Sequence, residues 1–307
     1  MSDASNHRQF CWQQVDAHQP LFRVSHVFAP PELADRLLAL HAFFSAIESV
    51  TSTVSDEAVA LRKLDWWREE MSRISKQASA HPVVAELQRS GAAGCMPMPL
   101  VEDLLINAVA RLDAPATASA GELRALCEAN GRAQVQIELA VCEAGEGIPE
   151  SMAGFPLQVG RALLLRDAVY RGSFWWVPLD LLARHGLNRS QVLSADHQDS
   201  AARLMADILH PDVFKPVDLS GIKDISVSKD QYKQNYKHLY VQDALNKNFF
   251  KYLKKTSPVF YGKRLAGSRM SDAFYAWPGR AAESCRIAAA RRAQRRLGRA
   301  GLRSVRR

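Results

Sequence analysis

A chain of 307 residues with 47% hydrophobic side chains is a globular candidate, long enough to bury one large core or two smaller ones. No window reaches the roughly 18 uninterrupted apolar residues of a membrane span. The five cysteines (Cys11, Cys95, Cys127, Cys142, Cys285) are odd in number and form no CxxC pair, so they indicate neither a disulfide framework nor a zinc site and are expected free and buried. The formal net charge of +8 favours an anionic partner, whether phosphate, lipid headgroup or nucleic acid.

Met1 to Gln19 is polar and mixed, without the basic start and apolar core of an export signal, so the expected address is the cytoplasm. After Pro30 and Pro31, the residues Leu33, Leu37, Leu38, Leu40, His41, Phe44 and Ile47 recur at three- and four-residue intervals, which predicts a helix with one apolar face. Ser55 and Asp56 offer capping oxygens to a second helix, where Val59, Leu61, Leu64, Trp67 and Met71 form a stripe against Arg62, Lys63, Glu69 and Glu70. On that helix the adjacent Trp66 and Trp67 point about 100° apart, so one enters the core while the other lines a cavity or interface. Arg68, among Asp65, Glu69 and Glu70, predicts a salt-bridged surface.

Apolar runs at 98–112, 121–144 and 156–171 have helical length, and the breakers Pro115, Gly145, Gly147 and Pro149 fall between them. Asn130, Gln134, Gln136 and Glu138 put amides and an acid on the second of these. Pro178 suits the first turn of a further helix and Gly186 its left-handed end, with His185 read as a surface residue complementing the helix dipole. With no strand-period run and no internal repeat, an all-α bundle follows.

Charge usage divides the chain. Before residue 212 the lysines are Lys63 and Lys76; from Lys215 to Lys263 lysine replaces arginine and alternates with aromatics; beyond Arg264 there is no lysine. The expected organisation is therefore a helical domain over 1–212, a Lys/aromatic-rich segment over 213–263, and an Arg-rich, flexible tail over 264–307. That tail is read either as solvated or as a basic surface for anionic lipid at a membrane; nucleic acid is not expected.

Two stretches carry a resemblance. Leu40-His41-Ala42-Phe43-Phe44-Ser45-Ala46-Ile47-Glu48-Ser49-Val50, followed by Leu64-Asp65-Trp66-Trp67-Arg68-Glu69-Glu70, and the later run from Gly160-Arg161-Ala162 through Arg166-Asp167 to Val177-Pro178-Leu179-Asp180, resemble the squalene/phytoene synthase family over about residues 20–195. The resemblance implies an isoprenoid-synthase-type bundle around an apolar cavity, with the atypical basic C-terminal region lying beyond it. It also implies prenyl diphosphate as ligand, head-to-head prenyl transfer as the reaction, and Mg2+ as the cofactor of catalytic members. In the family, carboxylates one helical turn apart share magnesium ions that bridge the diphosphate.

Here those positions are filled by Glu48, Ser49 and Ser52 in the first motif. In the second, Asp167 survives and Arg171 stands where its partner acid would be. The candidates carried over are Glu48 and Asp167 as catalytic and metal-holding acids. Arg166, Arg171, Ser45, Ser49, Ser52, Asn130 and Gln134 are the substrate-binding candidates. Glu48 has a second reading, an acid paired with a nearby arginine; Arg171 either neutralises Asp167 or meets diphosphate itself. The loss of aspartates resembles the family's non-catalytic branch, which includes assembly factors of respiratory complex I. Two functions are thus expected: a prenyl-diphosphate binder with weak or lost condensation activity, or a scaffold with a protein partner.

Overall fold

The computed structural model describes residues 3–19, 22–27, 29–76, 79–113, 116–142 and 177–208. The expected helix at 156–171, the Lys/aromatic segment and the Arg-rich tail lie outside these, as do Arg166, Asp167 and Arg171. Among the described residues there are helices and no strand. In chain order they are α1 (Asp3–His18), α2 (Phe22–His26), α3 (Pro31–Thr53), α4 (Glu57–Arg73), α5 (Pro82–Ser90), α6 (Met98–Asp113), α7 (Ala120–Val141), α8 (Leu179–Arg184) and α9 (Gln198–Ile208).

Pro31 opens α3 at a position where its missing N–H has no helical partner to lose. Every residue from Leu37 to Glu48 is buried, because α1, α4, α5, α6 and α7 surround the helix. The one-sided apolar face expected for this segment is corrected on this point. Ala39, Ala42, Phe43 and Ala46 close the remaining circumference, and a helix apolar all round belongs inside a bundle.

In α4 the Asp56 carboxylate accepts the Val59 N–H at 3.0 Å, ending a β-conformation lead-in. Its buried stripe is Ala60, Leu64, Trp67 and Met71. Val59, expected in that stripe, is 42% exposed, since it sits one residue off the line. Arg68 forms the predicted surface pairs, with Asp65 at 2.7 Å and with Glu102 of α6 at 3.0 Å, while Arg73 takes Glu70 at 3.1 Å.

A short connection joins α6 to α7. Ser119 caps α7 by accepting the Glu122 N–H, and Glu122 reaches back to the Ala118 N–H, a reciprocal arrangement that fixes the start of the helix. The first amides of α8, Leu179 and Asp180, donate to the carbonyls of Thr117 and Ala118 at 3.0 Å each, which fastens residues 177–180 beside that start. Pro178 is the cap before α8. Gly186 takes φ 61°, and the amides of Gly186 and Leu187 return to Ala183 and Leu182, closing the helix as its sequence predicts. His185 is corrected: its side chain is 12% exposed and its Nε2 lies 2.9 Å from Asp207 Oδ2, so it ties α8 to α9.

Cys11 and Cys142 are buried and Cys95 half-buried, all free. Burial pushes the Cys11 thiol up to about 12, which leaves it inert as a nucleophile.

Candidate functional site

On α3, His41, Ser45, Glu48 and Ser52 are spaced by four, three and four residues and share one face. All four are buried. On α7 the same is true of Asn130, Gln134 and Glu138, spaced by four. The two helices run antiparallel: Arg36 Nη1 donates to the Val141 carbonyl at 3.5 Å, and five residues further along α3 His41 Nε2 lies 3.4 Å from Glu138 Oε1. Equal rise per residue on both helices brings Ser45 level with Gln134 and the Glu48–Ser52 turn level with Asn130. Two polar stripes thus lie alongside each other in the middle of an apolar bundle.

Glu48 is buried and its Oε1 accepts a hydrogen bond from Arg111 Nη1 of α6 at 2.8 Å. Arg111 is 1% exposed, and among the described residues its Nε and Nη2 have no hydrogen-bond partner. Next to Glu48 lies His18 at the end of α1. Burial lowers the pKa of that imidazole, and the Glu48 charge opposes the shift. Gln19 then locks His41: its Nε2 donates to the His41 carbonyl at 3.0 Å and to Ser45 Oγ at 2.9 Å, so its Oε1 faces His41 Nδ1 at 2.6 Å. Nδ1 therefore carries the proton, and His41 Nε2 is turned to Glu138.

The serine hydroxyls each serve the helix itself. Ser45 donates to the His41 carbonyl at 2.7 Å, Ser49 to Ala46 at 2.7 Å and Ser52 to Glu48 at 2.9 Å. Ser49 is separated from the rest, because it faces outward into a cavity of about 570 Å3 between α1, α3 and α4. That cavity is walled by Phe10, Trp66, Trp67 and His81 and edged by Arg62 and Lys63. Trp66 is 39% exposed there while Trp67 is buried against Phe43 at 5.5 Å between ring centres, the division expected of adjacent tryptophans.

Of the expected site residues, the structure brings Glu48, Ser45, Ser52, Asn130 and Gln134 to the paired stripes and places Ser49 on another wall. Arg111, His18 and Gln19 were not read from the sequence, and His41 was read as a member of the apolar stripe. Arg111 left one signal: a lone cation in the run 98–112, seven residues after Leu104 and three after Ala108, at a position that faces the core. A cation so placed requires a buried acid.

For Mg2+ the described donors do not suit. The ion requires several oxygen ligands and gives up its water reluctantly. The one carboxylate of the first motif is already held by a guanidinium, and the neighbouring hydroxyls donate to carbonyls. Among the described residues no group of three or more His, Cys, Asp or Glu could hold a metal ion.

The model of the squalene/phytoene synthase family matches residues 15–210. Among solved structures, squalene synthase HpnC from Alicyclobacillus acidocaldarius superposes with a TM-score of 0.56 at 14% identity, covering 83% of this chain and 95% of that one. A dehydrosqualene synthase in complex with ligand superposes with a TM-score of 0.56 at 10% identity, covering 92% of this chain and 98% of its own. No curated protein matches the sequence. The structural likeness shows the common all-α fold and the family match spans more than half of the sequence: the chain belongs to the squalene/phytoene synthase family.

Proposed function

We propose that the protein binds an isoprenyl diphosphate, with the headgroup at the paired polar stripes of α3 and α7, and that its head-to-head condensation activity is weak or lost. The observation that carries this reading is the buried Glu48–Arg111 pair at 2.8 Å. It keeps a polar, charged centre in the bundle while occupying the acid that a magnesium cluster would need. In this reading Asn130 and Gln134 receive headgroup oxygens. Arg166, Asp167 and Arg171, which lie outside the described residues, are further candidates for the headgroup on the strength of the family motif alone, and Mg2+ is the cofactor of a catalytic form.

A second reading is a scaffold or assembly factor of the respiratory complex I assembly type. The hydroxyls of Ser45, Ser49 and Ser52, all spent on main-chain carbonyls, favour it. No helix among the described residues is long and apolar enough to cross a membrane. Work in the cytoplasm, with the basic C-terminus touching anionic lipid at a membrane edge, is consistent with the charge.

The test is a thermal-shift titration of the full chain with farnesyl and geranylgeranyl diphosphates. The ligand reading expects a saturable rise in melting temperature at micromolar concentrations of either. A scaffold gives none.

A further inference from the structure

We infer that Arg111 stands where a metal ion would otherwise hold the ligand, so that this site takes a phosphate or diphosphate group directly and without Mg2+. The observation is geometric. Arg111 is 1% exposed, Glu48 engages Nη1 from one end at 2.8 Å, and the two nitrogens left without a partner among the described residues are Nε and Nη2. Those two N–H groups point the same way along one edge of the guanidinium plane. That edge is the fork which meets two oxygens of one phosphate in parallel hydrogen bonds.

Glu48 therefore orients the guanidinium through Nη1 and leaves its other edge, Nε and Nη2, buried without a hydrogen bond among the described residues. Asn130 is 2% exposed, and among the described residues its Oδ1 and Nδ2 also have no hydrogen-bond partner. By the antiparallel run of α3 and α7 it lies level with the Glu48–Ser52 turn. Buried donors without acceptors are uncommon and mark a place for a missing water, ion or ligand. Two such buried side chains on the packed helices α6 and α7, one of them a cation, describe an anion site. A lone water would satisfy at most part of the donor set, whereas a phosphate offers enough oxygens to accept from the fork and from Asn130 Nδ2 together, with Asn130 Oδ1 left to a water.

The inference rests on the prenyl-diphosphate reading for the ligand's tail, and inorganic pyrophosphate tests the headgroup by itself. Calorimetric titration of the full chain is run with pyrophosphate and with farnesyl S-thiolodiphosphate, each in EDTA and in Mg2+. Binding in EDTA within about twofold of that in Mg2+ is expected. Arg111→Lys, which keeps the charge and loses the fork, is expected to weaken it at least about tenfold, the scale of a charged hydrogen bond. Glu48→Gln removes a negative charge from beside the ligand and tightens binding.

The double variant Glu48→Gln with Arg111→Met leaves no buried charge unpaired and so retains the fold; it is expected to lose binding in EDTA. Binding by that double variant at wild-type strength overturns the assignment to Arg111. Binding that needs Mg2+ and is abolished by Glu48→Gln also overturns it, and leaves the prenyl-diphosphate reading standing. Absence of binding under every condition removes both.

Discussion

Placing the Glu48 carboxylate and the Arg111 guanidinium inside an apolar bundle strips water from both ions, and their attraction at 2.8 Å offsets that cost only while both are present. Removing one partner leaves the other charged and alone. Arg111→Met is accordingly expected to lower stability by about 3–5 kcal/mol, and adding Glu48→Gln to it to restore most of the loss. Denaturant unfolding of the single and the double variant beside wild type checks this; equal losses for the two would mean that the pair carries no buried charge. A second residue-level effect concerns pH. Burial lowers the pKa of both His18 and His81 from the usual 6.5, against the opposing charges of Glu48 and Glu70. His81 also uses Nδ1 as an acceptor for the Val83 N–H at the start of α5. As pH falls through 6.5 the unfolded chain takes up protons first, so stability declines from that point and stops declining below the folded-state values. The melting temperature at about pH 5.5 should therefore lie below that at about pH 7.5. Replacing His18 and His81 by Asn should flatten the difference, since Asn caps a helix without titrating.

At the scale of helices, α3 and α4 show what periodicity conveys and what it omits. The proline at the first position of α3, the cap at Asp56 and the turn at Gly186 stand where their residue types predict, because helix starts and stops are local chemistry. The burial of α3 on every side was not legible, since the small residues Ala39, Ala42 and Ala46 are apolar without marking a direction; neighbours decided it. In α4 the tryptophan pair divides as its 100° offset requires. Trp67, buried against Phe43 and His81, should cost about 3–5 kcal/mol when replaced by Ala. Asp65→Ala, which removes one exposed partner of Arg68, should cost a few tenths. If Trp67→Ala melted within a degree or two of wild type, the core side of α4 would be misplaced. His185 was misread for a related reason: its position at a helix end was visible, but Asp207, 22 residues on, was not a local neighbour.

For the whole molecule, the all-α bundle and the family were legible because helix stripes and motif order are written along the chain. The site was half legible. Glu48, Asn130 and Gln134 were found by motif and spacing on their own helices. Arg111 was missed because its partner is 63 residues away on another helix, a relation no local pattern records. A magnesium-bridged headgroup is what the family motif implies, and Glu48 alone of the first-motif positions can supply a charge here. The measurement that bears most directly on the account is magnesium-dependent release of pyrophosphate from farnesyl diphosphate by the full chain, with wild type beside Glu48→Gln and Asp167→Ala. The account predicts release near the protein-free background in all three, with or without Mg2+. Robust release by wild type in Mg2+, abolished by either substitution, would show an intact metal-dependent synthase and contradict it.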